Sequence, residues 1–188
     1  MALTKVDPVH GIDLADTEYF HVDLTTEQSG ITDNTTVVVD FGAKGTVKYD
    51  TKSNVDTAND AYLLDSSDGV YLISYSVGIK SNSISDDDLV DAGAYVEVAT
   101  DGSTFAALHG SGENVQDSGS DEKGSSMHSG TFIYKSTTAT TKIRVRAHAN
   151  TSPTVNYTIV HEVQSMIAAT QAVSQGSRCT FLSIVRIA

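Results

Sequence analysis

Apolar and polar positions alternate most cleanly in VYLISYSVGIKS (Val70–Ser81). Tyr71, Ile73, Tyr75, Val77 and Ile79 share one face there, and Val70, Leu72, Ser74, Ser76 and Gly78 share the other. A period of two held over ten residues predicts a β-strand. TKIRVRAHA (Thr141–Ala149) repeats the pattern, with Ile143, Val145 and Ala147 inward and Arg144, Arg146 and His148 outward. Shorter strands are predicted in TVVVDFG (Thr36–Gly42), in GTVKYD (Gly45–Asp50) after an AKG turn, and in DAYLLD (Asp60–Asp65) before an SSDG turn. TFIYKS (Thr131–Ser136) and TVNYTIVHEV (Thr154–Val163) add two more. AYVEVATDGSTFAALHG (Ala94–Gly110) reads as a hairpin whose turn is the Asp-Gly of TDGS. NSISDDDLVDAG (82–93) and SGENVQDSGSDEKGSSMHSG (111–130) lack periodicity and read as an acidic loop and a long polar loop.

These segments give eight to ten antiparallel strands at regular spacing. The expected fold class is all-β, an antiparallel two-sheet jelly-roll sandwich. SMIAATQAVSQG (165–176) suits either a short helix or a loop. Residues 1–35 carry only one strand-like run, YFHVDL, and are either an N-terminal arm or an ordinary first strand; residues 36–188 form the jelly-roll domain.

The last strand, CTFLSIVRIA, breaks the usual rule. One face carries Cys179, Phe181, Ser183, Val185 and Ile187, and the other carries Thr180, Leu182, Ile184 and Arg186. A strand in a lone sandwich has one face in water. Apolar residues on both faces predict a second cover, and the simplest cover is another copy of the chain.

Composition narrows the picture. The 188 residues suit one domain, and 39% hydrophobic content is enough for a core. A formal charge of −12 would repel a phosphate backbone, so no nucleic-acid partner is expected. Cys179 is the single cysteine, so no intrachain disulfide is available, and its apolar setting predicts a buried, inert thiol. No run approaches 18 apolar residues, so no membrane span is expected. MALTKVDPVHG has no signal-peptide core, which predicts a protein made in a cytoplasm.

DGVYLISYSVG (Asp68–Gly78) resembles the PG-x-Y-x-F-x-Y strand of the complement globular-head and tumour necrosis factor-like superfamily. Gly69, Val70, Tyr71, Ile73 and Tyr75 stand in the matching places. The stretch from Val37 through Tyr49 and Asp50 resembles the run leading to that strand. CTFLSIVRIA resembles the closing strand, which in phage-encoded members ends on a similar LSIVRI pattern. The resemblance covers about residues 36–188. It implies a ten-stranded jelly roll in tight homotrimers, with the terminal strands near the three-fold axis. Tyr71, Tyr75, Phe181, Leu182 and Ile184 are then the trimer-interface candidates.

Catalytic chemistry is sparse. His10, His21, His109, His128, His148 and His161 show no metal-pair spacing. Asp86, Asp87, Asp88 and Asp91 offer oxygen ligands for calcium, although their spacing is not that of an EF-hand and solvated acidic residues are the plainer reading. HGSGE is not a nucleophile elbow. No enzyme activity and no cofactor are expected. The function expected is a bacteriophage capsid decoration (cement) protein, a homotrimeric knob on the capsid exterior of the virion with the major capsid protein as partner. The alternative is a carbohydrate- or receptor-binding module, either a fibre tip or a complement-like head.

Overall fold

The computed structural model describes residues 6–7, 11–12, 17–82, 88–114, 124–152, 155–162 and 178–188. Among them are fifteen strands and one helical turn. The strands are β1 (Val6–Asp7), β2 (Gly11–Ile12), β3 (Tyr19–Leu24), β4 (Gln28–Ile31), β5 (Thr35–Val38), β6 (Gly45–Asp50), β7 (Val55–Asp56) and β8 (Ala61–Leu63). They continue with β9 (Val70–Ser81), β10 (Asp88–Ala99), β11 (Ala106–Asn114), β12 (Ser125–Lys135), β13 (Lys142–Ser152), β14 (Tyr157–Val160) and β15 (Phe181–Arg186). Helix α1 (Phe41–Lys44) lies between β5 and β6.

β9 organises the first sheet. Along its whole length one edge pairs with β12, from Val70↔Lys135 to Lys80↔Ser125. Its other edge holds two strands end to end. β15 faces Tyr71–Ser76 and continues to β3 and β6, while β14 faces Gly78–Ser81 and continues to β4. The Thr180 hydroxyl seals the join between them: it accepts from the Gly78 amide at 3.0 Å and donates to the Val160 carbonyl at 2.6 Å. β13 organises the second sheet in the same way. β10 and then β11 lie on one side of it, and β5 and β8–β7 lie on the other. β1 and β2 pair only with each other.

The alternation read from the sequence is the reason the sheets stack. Tyr71, Ile73, Tyr75, Val77 and Ile79 of β9 meet Ile143, Val145, Ala147 and Ala149 of β13, with Leu182 and Ile184 of β15 in the same core. Tyr62 stacks on Phe20 with ring centroids 4.3 Å apart, tying β8 to β3 across the sandwich.

Several boundaries differ from the sequence reading. The strand expected over Thr36–Gly42 stops at Val38, because Asp40 accepts from the Ala43 amide at 2.8 Å and caps the turn of α1. β6, expected as a strand after the AKG turn, pairs with β3. The acidic loop is shorter than expected: β10 begins at Asp88, and β11 and β12 extend into the polar run as far as Asn114 and from Ser125. Within residues 1–35, expected as an arm or a first strand, β3 and β4 belong to the β9 sheet. The helix-or-loop segment 165–176 lies outside the described residues.

Candidate functional site

The outward faces of the two sheets are chemically opposite. On β13 the outward residues are Lys142, Arg144, Arg146, His148 and Asn150, and each meets an acidic partner. Lys142 Nζ lies 2.7 Å from Asp56, Arg144 2.7 Å and Arg146 3.3 Å from Glu97, and His148 3.3 Å from Asp91. Asn150 donates to Asp91 at 3.2 Å. The Lys142 ammonium holds the Asp56 carboxyl below the usual range. Arg144 also lies over the Phe105 ring, 3.7 Å from its centroid. The basic side chains of β13 are thus each paired with a carboxylate of the same face.

The outward face of the β9 sheet is built differently. The register places Tyr19 beside Val185, Val185 beside Leu72, and Leu72 beside Ile133. One apolar row therefore crosses β3, β15, β9 and β12. Tyr19 stacks on Tyr49 of β6 at 5.2 Å, carrying the row to the sheet edge. Ile133 is 66% exposed and Tyr49 57% exposed, with Met127 further along β12 also exposed. Below the row lies a small-residue row of Ser183, Ser74 and Thr131, the last two joined by a hydroxyl hydrogen bond of 3.0 Å. Small residues are thus bordered by large, exposed apolar side chains on this face.

One ionisable pair interrupts this face. His21 Nε2 lies 3.0 Å from Asp23 Oδ1, both on the outward side of β3. The His21 ring tilts against Phe181 with centroids 5.7 Å apart.

Of the five residues expected at a subunit interface, Phe181 alone lies on this outward face. Tyr71, Tyr75, Leu182 and Ile184 are at most 2% exposed and belong to the chain's own core. β15 is apolar on both sides because Leu182 and Ile184 face the opposite sheet while Phe181 and Val185 face outward. Alternation identified the two faces without telling them apart. Tyr19, Val185, Leu72 and Ile133, one per strand and none of them among those five, become a row only when the register is known.

Among the described residues no group of three or more His, Cys, Asp or Glu side chains could hold a metal ion. Asp86 and Asp87 lie outside the described residues, and Asp91 is engaged with His148 and Asn150. His109 stacks on Phe132 at 4.6 Å, and His128 is buried with its ring 2.7 Å from the Ser126 hydroxyl. Cys179 is buried, donates to the Val160 carbonyl at 3.3 Å, and has its thiol pushed up to about 11 by burial. That makes it a poor nucleophile.

Murine APRIL at pH 5.0 superposes on the chain with a TM-score of 0.54 at 11% identity, covering 92% of this chain and 100% of that one. The fold is the tumour necrosis factor-like jelly roll. Eiger TNF from S. frugiperda is similar, with a TM-score of 0.56 at 9% identity, covering 92% of this chain and 93% of that one. No protein-family model matches the chain, and no curated protein matches it in sequence. The likeness to these tumour necrosis factor-like proteins is one of backbone arrangement. In this jelly roll the closing strand β15 lies between β3 and β9, which puts its outward residues Phe181 and Val185 in the middle of the apolar face.

Proposed function

We propose that the chain is a non-catalytic, homotrimeric binding module whose subunits meet through the outward face of the β9 sheet. The observation that carries this reading is the row Tyr19–Val185–Leu72–Ile133, set against a second sheet whose outward charges are already paired. Covering Leu72, Ile133 and Val185 would contribute on the order of 1 kcal/mol each, since each is already partly sheltered or sits beside sheltered neighbours. The trimeric state is what the family resemblance of Asp68–Gly78 and Cys179–Ala188 implies.

The finer reading is a bacteriophage capsid decoration (cement) protein on the capsid exterior, with the major capsid protein as partner. It is supported by the LSIVRI closing pattern shared with phage-encoded members. A chain of net charge −12 also suits a solvated outer surface. A three-fold knob fits the local three-fold positions of an icosahedral shell, where one trimer meets three equivalent contacts.

Two measurements test these levels separately. The native mass in solution should be three times that of the chain, and a stable single subunit overturns the assembly reading. Added to expanded phage heads, the trimer should bind saturably at three-fold positions by electron microscopy. A trimer that ignores heads and binds a glycan or cell surface instead overturns the capsid role.

A further inference from the structure

The His21–Asp23 pair sits where the proposed interface would cover it, and that placement has a consequence for assembly. We propose that trimer formation through this face is linked to proton uptake at His21–Asp23, so that subunits join more tightly as pH falls. This inference rests on the trimer reading above.

The argument is one of net charge. His21 Nε2 and Asp23 Oδ1 are 3.0 Å apart, and the two side chains keep 23% and 12% of their surface in the single subunit. Covering the face removes that remaining water. With a neutral imidazole the pair carries one uncompensated negative charge into a dry contact. With an imidazolium it enters as a neutral ion pair, which is far less costly to dehydrate. Assembly therefore favours the form holding the extra proton.

The surroundings offer the carboxylate little other compensation. On β15, the strands' register sets Phe181 beside Asp23 and Ser183 beside His21, neither of them charged. On β6 it sets Thr46 beside Asp23 and Tyr49 beside His21. The charged groups of β6 are Lys48, exposed at the bulge, and Asp50, whose carboxylate accepts from the Lys52 and Asn54 amides. Arg186 of β15 lies at the far end of the sheet, paired in register with Tyr71. Beyond β15, β9 presents Ser74 and Ser76. The other imidazole–carboxylate pair described in this sheet, His161 and Glu162 at 3.7 Å after β14, differs in that Arg178 already meets its carboxylate at 2.9 Å.

Linkage fixes the size of the effect. One proton taken up per subunit makes the association constant for three subunits rise by up to about a thousandfold per pH unit. The experiment is sedimentation equilibrium of the full chain in graded urea between pH 8 and pH 6, in salt that screens the general acidic charge. The wild-type trimer should tighten on acidification. His21→Gln should flatten the dependence. Asp23→Asn should reverse it, because the imidazolium then becomes the uncompensated charge. A wild-type trimer equally tight at both ends of the range, or a His21→Gln trimer that keeps the wild-type slope, overturns the inference while leaving the trimer intact. A chain that is monomeric throughout overturns the assembly reading and this inference with it.

Discussion

The Tyr71 phenol donates a 2.8 Å hydrogen bond to the Glu18 carboxylate inside the sandwich, joining the start of β9 to the residue before β3. The other oxygen of Glu18 accepts from the Asp65 amide at 2.9 Å, and the Ser66 amide donates to the Tyr71 oxygen at 3.1 Å. Burial pushes the Glu18 carboxyl up, with these donors opposing it only in part. A group raised in the folded state contributes stability that is complete below its unfolded value and is lost as pH rises through its folded value. The Glu18 contribution therefore declines on the alkaline side of the ordinary carboxylate range.

Tyr71→Phe removes the donor that best supports the carboxylate. The loss should be about 1.5–3 kcal/mol where Glu18 is charged and smaller where it is protonated, so it should shrink between pH 8 and pH 5. Urea unfolding of both proteins at the two pH values gives the comparison. An equal loss at both would mean that Glu18 keeps one protonation state across the range.

Gly130 of β12 stands opposite Tyr75, and a Cβ there would lie 2.7 Å from the Tyr75 ring and 2.9 Å from the His109 ring. Gly130→Ala should cost about 1–3 kcal/mol by overpacking. Thermal unfolding measures it, and the weakened contact should also show as a shift of the His109 ring resonances.

Ile133 is the most exposed large apolar side chain described, and it ends the apolar row at the β12 edge. Ile133→Asp should leave the subunit folded, with a stability change within about 0.5 kcal/mol, because surface changes are usually that small. Its trimer should weaken by tenfold or more, since a charge would enter a desolvated contact. Mass photometry over a dilution series, alongside circular dichroism, separates the two effects.

Glu97 provides the matching control on the other sheet. It is 5% exposed and accepts from both Arg144 and Arg146. Glu97→Gln should lower stability by about 1–3 kcal/mol through the lost charge-assisted bonds. The trimer constant should stay unchanged, as read by sedimentation after correction for folding.

Strand β9 was legible to the residue because its alternation is uninterrupted and a turn precedes it. The inward and outward residues of β13 were equally plain. β10 was read short because Asp88 and Asp91 look like loop residues, whereas Asp91 sits on the strand and is held by His148 and Asn150 of β13. The end of β5 depended on Asp40 choosing a helix cap over a strand, a choice set by the Ala43 amide that comes to it. The candidate site was the least legible part. Tyr19, Leu72, Ile133 and Val185 lie on four strands far apart in sequence, and pairing register is a property of the folded sheet alone. Once β15 was seen to seat between β3 and β9, its two apolar faces separated into core and surface.

That seating has a consequence for how the molecule comes into being. β15 follows every other described strand in chain order, yet its place is the middle of a sheet and not its rim. Until it arrives, β3 and β9 each present a bare backbone edge, and neither can pair with the other without shutting β15 out. Newly made chains must hold that slot open, and a slot of this kind accepts any passing extended segment. Nascent or truncated chains should therefore be the aggregating species, and a chaperone that shields strand edges should raise the yield of the native protein more than any change to its finished surface.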